Sequence, residues 1–454
     1  MHNALISRCR FLLGLIAAMP VESVSVGAEP VFTAGAGEVD ITPDALMMNY
    51  YSKHAPFGVI YDPLHVRALV IGDGTTKVAF IVWELLDTRE SAVAKVREEV
   101  EMATGIPRAQ ILINANHSHS ALRSPRYGEP KTERGHQNDP RYQEWIDAHE
   151  KDPLYRRWYE AFAGRCVEAV RKAEANRRPA TIQLGRTTAA EWIFNRRPIK
   201  ADGTVQRMLV PRDPYSLPDG LRFGRVDPTL TTLQFLDREI KPITTVFHFA
   251  CHSVGIYSNH NGVSADWSAP VLRRLKDESG GAPAIFMQGC AGDIVPARRG
   301  LEAVAAMGRG MGERAVNAVH NSSALPVGQI RHASAVIGLP LTPEARQAEE
   351  TGFVPAEIHA VAIGPLAIVT LPGEPLVQLG FSIQERSSFP HTLVLGYSNG
   401  RAGGYVGMPG DKVKGGYEMG PVGRATDEAG QMMIDTAARL LRELAGTPAP
   451  AKAN

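Results

Sequence analysis

Cysteine is scarce in this chain of 454 residues: there are four, and Cys9 lies in the amino-terminal segment discussed below. The other three, Cys166, Cys251 and Cys290, are an odd number, which excludes a fully paired disulfide framework. A bridge between Cys251 and Cys290 stays open, because both lie beside suspected site residues. We expect the alternative, in which they are small buried residues under strand ends.

Net charge and long apolar runs are also lacking. Lysine and arginine total 49, aspartate and glutamate total 48, and the formal net charge is +1. This balance gives no electrostatic reason to bind nucleic acid or an anionic membrane. The apolar block Phe11–Met19 is far shorter than the ~20 residues that span a bilayer, so we expect no transmembrane anchor.

The amino terminus has the order of a secretory signal. Two arginines and no acid precede the apolar block, and small residues follow it up to Ala28. We predict a signal peptide over 1–28, cleavage after Ala28, and a mature protein that is secreted or periplasmic. At the other end, 446–454 is rich in Pro, Ala and Lys and predicts a disordered tail.

Apolar, β-branched runs with polar or glycine-rich ends recur along the chain. Such near-continuous runs predict strands covered on both faces, here 68–71, 78–81, 111–113, 243–247, 284–287, 360–363, 366–369 and 392–395. Helical spacing of apolar residues predicts helices over 91–104, 153–175, 301–321 and 426–444. The alternation predicts an α/β fold of mixed, layered sheets flanked by helices.

The most informative stretch is Ile111–Ser120, in which an apolar strand runs out into a loop with His117 and His119. In extended backbone, residues two apart point to the same face, so both histidines can address one site. Neutral imidazole is a common ligand of zinc. The alternative is a pair of exposed or hydrogen-bonded loop histidines.

Other predicted strands also end in residues of catalytic type. His252 and Asp293 follow two of them, and Glu374 follows a third through Pro372 and Gly373. Sites in sheet-based folds commonly assemble from such loops. Taken singly, Glu374 is more typical of a solvated turn than of a ligand.

The segment 123–152 shows neither strand nor helix periodicity and is crowded with charge, proline and glycine. A segment of this length is usually a functional lid or a disordered insertion. Because it follows His117 and His119 closely, we predict a lid over the site.

Several short phrases, taken in order, resemble the amidase domain of the neutral/alkaline non-lysosomal ceramidases. They run from the opening Gly35–Thr42 and Tyr61–Leu64 through Asn116–Ser120, Phe249–His252, Val263–Trp267, Gln288–Asp293, Leu371–Pro375 and Gly404–Val406. The resemblance extends from about Ala34 to Leu444. It implies a ceramidase-like zinc hydrolase domain over 29–445, in a bacterial protein without the carboxyl-terminal immunoglobulin-like domain.

The resemblance also implies a set of site residues. Zinc (Zn²⁺) is held in that family by two histidines, a glutamate and a tyrosine, which fall here on His117, His252, Glu374 and Tyr405. His119, Arg196 and Tyr417 match catalytic or substrate-side positions, although the register of Arg196 against Arg197 is open. Asp266 and Asp293 are then expected to orient a ligating imidazole; for Asp266 a helix N-cap is the equal alternative.

One departure concerns Val295, which stands where the ceramidases carry a serine at the reaction centre. A covalent serine route is therefore closed at that position, whereas direct attack by zinc-activated water is not. The resemblance implies cleavage of an N-acyl amide, with a ceramide-like lipid or a related small molecule as substrate. Transient contact with a membrane surface is compatible with this interpretation, and the oligomeric state is open.

Two alternatives remain at this point. One is a zinc hydrolase that acts on an ester or a small non-lipid amide. The other is a non-catalytic, exported protein that binds metal or lipid at a degenerate site. A buried ligand set favours an active enzyme, because buried polar ligands without a metal carry a desolvation cost.

Overall fold

The structure is a computed structural model that describes residues 31–49, 55–128, 148–149, 151–208, 213–256, 261–346 and 351–446. The predicted signal peptide, most of the predicted lid (129–147 and 150) and the tail beyond Gly446 lie outside these residues. Among the described residues, no helix combines the length and the apolarity needed to cross a membrane.

Three mixed sheets form the core, and all three have antiparallel strands with a parallel pair at one edge. The first has the order β6-β5-β4-β1-β7, with β5 and β6 parallel. The second has the order β14-β13-β12-β8-β16, with β13 and β14 parallel. The third has the order β17-β18-β19-β21, with β19 and β21 parallel. The strands of these sheets are β1 (Thr33–Asp40), β4 (His65–Gly72), β5 (Lys77–Trp83), β6 (Ile111–Ala115), β7 (Arg178–Pro179), β8 (Thr181–Thr188), β12 (Thr229–Leu236), β13 (Pro242–Phe249), β14 (Ala284–Gln288), β16 (Ser323–Leu325), β17 (Ile330–Pro340), β18 (Phe353–Ile363), β19 (Leu366–Thr370) and β21 (His391–Leu395).

Smaller strands pair in twos around these sheets. They are β2 (Met48–Asn49) with β3 (Ala55–Pro56), β9 (Ile193–Asn195) with β15 (Ile294–Pro296), β10 (Ile199–Lys200) with β11 (Leu221–Arg222), and β20 (Glu374–Pro375) with β22 (Tyr405–Val406). The last two-stranded pair is parallel and joins two predicted ligands, because Glu374 lies opposite Tyr405.

Parallel neighbours need a crossover connection, and a helix makes it in each sheet. Helix α1 connects β5 to β6, α3 connects β13 to β14, and α6 connects β19 to β21. The helices are α1 (Glu90–Thr104), α2 (Pro153–Ala175), α3 (Ser268–Glu278), α4 (Leu301–His320), α5 (Pro343–Arg346), α6 (Val377–Glu385), α7 (Asp411–Lys414) and α8 (Glu428–Ala445), with short 3₁₀ turns at Arg108–Gln110 and Ala190–Trp192.

Helix α2 shows how residue choice sets the packing. Its aromatic residue Phe162 meets Trp83 of β5 edge to face, with ring centroids 5.1 Å apart. The helix approaches β1 at Gly35, where an added Cβ would lie 2.1 Å from the carbonyl oxygen of Ala173. Only glycine permits this approach, because any side chain would overlap the helix backbone.

The predicted fold class is confirmed. Each predicted strand run lies within a strand of the structure, and the four predicted helices match α1, α2, α4 and α8 to within about two residues at either end, the ordinary uncertainty of helix boundaries. The sequence patterns missed β1, β8, β12 and β17, as well as helices α3 and α6.

The carboxyl ends of the three parallel pairs meet at one junction. Isolated bridges connect the sheets there: Asn114 with Ser398, Ser118 with Ser253, and Gly289 with Leu395. Loops leaving all three sheets therefore reach the same small volume, which is where the predicted site residues lie.

Candidate metal centre

Three potential ligand atoms face one another at this junction. The Nε2 atom of His117 lies 3.2 Å from Oε2 of Glu374, and the Nε2 atom of His252 lies 3.3 Å from the same oxygen. Each residue follows a strand of a different sheet: His117 follows β6, His252 follows β13 and Glu374 follows β19. The sequence signal that was weakest alone, the Pro-Gly-Glu turn, thus lies at the centre of the cluster.

The second nitrogen of each imidazole fixes where its proton lies. Nδ1 of His117 is 2.6 Å from the carbonyl oxygen of Leu86, and Nδ1 of His252 is 2.5 Å from that of Ala291. A carbonyl oxygen only accepts, so each Nδ1–H donates and each Nε2 of a neutral ring carries a lone pair. Burial, together with the charge of Arg196, lowers the pKa of His252 to about 3, so this ring is neutral at pH 7.

In their neutral forms, the two rings therefore direct nitrogen lone pairs at the carboxylate oxygen of Glu374. The contact of His252 with Glu374 would be an ion pair only if this ring were protonated, and its low pKa argues against this. Nε2 of His252 and Oε2 of Glu374 are buried and have no hydrogen-bond partner. Such an arrangement is repulsive unless a cation lies between the atoms, and imidazole nitrogens with a carboxylate suit zinc.

His119 joins the cluster from the partly exposed side. Its Nε2 atom lies 3.3 Å from Nε2 of His117, and ligand atoms of His117, His119 and His252 all lie within 4.8 Å of one another. Burial and the neighbouring imidazoles lower the pKa of His119 well below its usual value. His119 thus has the reach of a ligand as well as of the predicted catalytic residue.

The two histidines of the His-x-His pair meet by a different route from the predicted one. His117 has a φ of 60°, in the left-handed region, so the backbone is not extended there. The chain turns at His117, and the amide of His119 then donates to the carbonyl oxygen of Ser253 at 2.9 Å. The prediction of extended backbone was wrong, although both rings do reach one site.

Tyr405 and Arg196 lie beside His252. The Tyr405 ring stacks on that of His252 with centroids 6.5 Å apart, and its hydroxyl accepts a hydrogen bond from Arg196 at 3.0 Å. Burial raises the pKa of Tyr405 well above its usual value, so the phenol keeps its proton. A neutral phenol held in this way can donate to a developing negative charge.

Arg196, and not Arg197, faces Tyr405. Arg196 also donates to the carbonyl oxygen of Gly292 at 2.6 Å. Both guanidinium groups are buried and share the carboxylate of Glu418: Nε of Arg196 lies 2.6 Å from Oε1, and Arg197 donates to Oε2 at 3.0 Å. Tyr417 lies beside this group, with its ring 5.8 Å from that of Tyr405.

The expectation that Asp266 and Asp293 orient the ligating imidazoles was wrong. The Asp266 carboxylate accepts hydrogen bonds from the backbone amides of Gly255, Ile256 and Trp267. Trp267 directly precedes helix α3, so this role resembles the helix N-cap that was the alternative for Asp266. Asp293 accepts from Asn195 and from the amide of Val377 at the start of α6. Backbone carbonyl groups orient the imidazoles instead.

Sequence reasoning missed two residues of the site. The ring of Tyr397 packs on His117 with centroids 4.3 Å apart, and its hydroxyl lies 3.4 Å from Nδ1 of His252. Glu418 anchors both buried arginines. Tyr397 stands between Gly396 and Ser398 after a predicted strand, which was a usable signal, whereas nothing local marked Glu418 as buried.

Val295 is fully buried and packs in an apolar cluster with Phe194 and Val254. Its side chain carries no hydroxyl. The described cysteines Cys166, Cys251 and Cys290 are all buried and free, so the open alternative of a Cys251–Cys290 bridge is wrong.

Comparison with known proteins places this arrangement in a fold class. No family model matches the sequence, and no curated protein sequence matches it either. Among solved structures, the neutral ceramidase from Pseudomonas aeruginosa matches with a TM-score of 0.71 at 15% identity, over 94% of this chain and 76% of that one. A ceramidase complexed with C2 matches with a TM-score of 0.69 at 16% identity, over 94% of this chain and 77% of that one.

The chain is therefore an α/β protein of three mixed sheets with a neutral ceramidase-like fold. The resemblance read from short sequence phrases is confirmed at the level of the fold. At these identities the likeness extends to the fold alone, so the chemistry is argued from the residues at the junction.

Proposed function

We propose that this protein is an exported, zinc-dependent amidohydrolase that cleaves an N-acyl amide, of which a ceramide-like lipid is one form. The observation that carries the proposal is the convergence of two imidazole Nε2 atoms and a carboxylate oxygen, of which Nε2 of His252 and Oε2 of Glu374 are buried without a hydrogen-bond partner. His117, His252 and Glu374 would hold the ion, with Tyr405 as the proposed fourth ligand. When bound in such a site, zinc supplies an acidified water and polarises a substrate carbonyl.

The remaining residues of the site suit the charge changes of amide hydrolysis. Attack on the amide carbon places negative charge on the carbonyl oxygen, and the buried guanidinium of Arg196, which donates to the Tyr405 hydroxyl, is the proposed donor for it. Removal of one such donor typically raises the barrier by about 2.7–4 kcal/mol. His119, neutral and partly exposed, is placed to move a proton towards the departing amine.

Direct attack by water is the route that suits this chain. Val295 has no hydroxyl at the position where a covalent route would use one, and it packs against Phe194 and Val254. Nε2 of His119 lies 3.3 Å from Nε2 of His117, which puts a further titratable group beside the three donor atoms.

The central experiment is metal analysis of the purified protein combined with hydrolysis of matched N-acyl amides and esters, with and without chelator. We expect stoichiometric zinc and amide hydrolysis that stops on chelation and returns with zinc. Ester cleavage without amide cleavage would favour the alternative hydrolase. Tight zinc binding without any hydrolysis would favour a binding protein.

Glu374→Gln tests the carboxylate. A neutral amide oxygen is a poorer ligand for a dication than a carboxylate. Loss of a residue that only hydrogen-bonds to a metal ligand typically lowers metal affinity ~10–100-fold, and we expect a larger fall in zinc affinity here. Glu385→Gln, a change on an exposed glutamate of α6, is the matched control. Equal zinc occupancy in both variants would make Glu374 a bystander.

Val295→Ser tests the route. We expect unchanged zinc occupancy, no gain in amidase activity, and a loss of about 1–3 kcal/mol in stability, because the hydroxyl enters an apolar cluster. Activity that appears only in the serine variant would contradict direct attack by water. Zinc content, turnover and urea unfolding of both proteins provide the comparison.

Export rests on the predicted signal peptide 1–28. Expression of the full chain in a bacterium and mass analysis of the periplasmic product test it. We expect a mature amino terminus at Glu29; recovery of the uncleaved chain from the cytoplasm would contradict export.

A further inference from the structure

A row of aromatic rings leads from the ligand atoms to an exposed cation. Tyr405 stacks on His252, and the ring of Tyr417 meets that of Tyr405 edge to face. The guanidinium of Arg207 then lies over the Tyr417 ring, 4.8 Å from its centroid. Each contact is shorter than 7 Å, so Arg207 is the outer member of a continuous row that begins at His252.

The charge of Arg207 is not balanced within the structure. Glu418 is the nearby buried carboxylate, and its two oxygens are already taken by Arg196 and Arg197. Over the ranges that the structure describes, Arg207 forms no ion pair; its one contact of note is with the Tyr417 ring. Lys414, on the neighbouring segment, is itself a cation paired with Asp411.

The backbone around Arg207 is held by hydrogen bonds and does not depend on the side chain. The amide of Met208 donates to Arg196 at 3.2 Å, and that of Gln206 donates to Pro198 at 2.8 Å. The amide of Val205 donates to Lys414 at 2.8 Å, which ties this segment to the one carrying Tyr417. Arg207 is therefore positioned on the same frame as Arg196.

We propose that Arg207, above Tyr417, forms a subsite for an acidic group on the substrate. The inference rests on the proposed amidohydrolase function and specifies its substrate class: an N-acyl amide that carries an oxyanion group, such as an N-acyl amino acid. A guanidinium presents a planar fork of donors that matches a carboxylate, and a sulfonate offers the same type of oxygen. An uncharged ceramide has no acidic group to pair with this cation.

The test compares three substrates with one acyl chain: N-dodecanoylglycine, its neutral counterpart N-dodecanoylglycinamide, and N-dodecanoyltaurine. We expect the zinc-loaded protein to prefer the anionic substrates. Arg207→Ala should lower kcat/KM for them about tenfold, mainly through KM, and leave the neutral substrate unchanged. Arg207→Lys should retain part of the preference. If Arg207→Ala lowers kcat/KM for the carboxylate substrate alone, the subsite accepts carboxylates; if kcat/KM falls for the sulfonate as well, it accepts both acids.

A surface arginine elsewhere provides the matched control. Arg238 is exposed in the turn between β12 and β13, at the opposite end of β13 from His252. Arg238→Ala should leave the kinetics with all three substrates unchanged. If Arg207→Ala changes charged and neutral substrates equally, or neither, the acidic-group subsite is wrong while the amidohydrolase function stands.

Binding separates this inference from the hydrolytic function. N-dodecylsulfonylglycine and its glycinamide counterpart resist hydrolysis and are suited to calorimetry with the zinc-loaded protein. We expect the acid to bind more tightly, and Arg207→Ala to remove the difference. Selective binding of the acid without turnover of any amide would sustain the subsite and contradict the proposed function; equal binding of acid and amide would contradict the subsite.

Discussion

His252→Ala is expected to remove zinc and amidase activity together. Its Nε2 is one of the three facing donor atoms, and the ring is fully buried at the junction. Loss of the ion removes several kcal/mol of transition-state stabilisation, which corresponds to a fall in kcat/KM of roughly a thousandfold or more. Metal analysis and turnover of the same purified variant measure both losses.

His117→Ala should behave in the same way, because its Nε2 faces the same carboxylate oxygen. His320→Ala is the matched control, since this histidine is exposed at the end of α4 and binds Glu278. It should keep full zinc and full activity. A His252→Ala protein that retained stoichiometric zinc and activity would exclude the proposed metal centre.

Glu418→Gln is expected to destabilise the protein more than any other single charge removal described above. The carboxylate neutralises Arg196 and Arg197, and the side chains of all three residues are at most 6% exposed. The neutral amide leaves two buried guanidinium groups without a counter-charge. Loss of one partner of a buried pair typically costs about 3–5 kcal/mol, to be measured as the change in the free energy of unfolding in urea.

The same variant should also lose activity, because Arg196 is positioned for the carbonyl oxygen through Glu418 and Gly292. Glu443→Gln removes an exposed carboxylate that pairs with Arg439 on α8, and should cost less than about 1 kcal/mol. Equal unfolding free energies for the two variants would show that the Glu418 group does not behave as a buried ion network.

The strands and helices that the sequence predicts are those with a strong period. Helix α2 has Trp158, Phe162, Cys166 and Val170 at helical intervals, and its bounds were predicted to the residue. Strand β17 was missed because its residues alternate between partial burial and exposure, and its one apolar run, Ala335 to Ile337, is short. The sequence also did not predict that each of the three sheets ends in one parallel pair, because this similarity lies in the strand topology.

The candidate site divides along a similar line. His117, His252 and Glu374 stand directly after strands, so their positions carried a local signal. Glu418 had none, because only the tertiary fold brings Arg196 and Arg197 to it. The expected roles of Asp266 and Asp293 failed for a related reason: backbone carbonyls, which every residue possesses, were free to orient the imidazoles.

The origin of the ligands in three separate sheets has a mechanical consequence. An ion held by His117, His252 and Glu374 would cross-link the three sheets, because each ligand stands on a loop that leaves a different sheet. Its binding free energy would add to the resistance of all three layers to heat or denaturant at once. Removal of the ion would then lower the melting temperature of the protein as a whole, because all three sheets would lose the same cross-link.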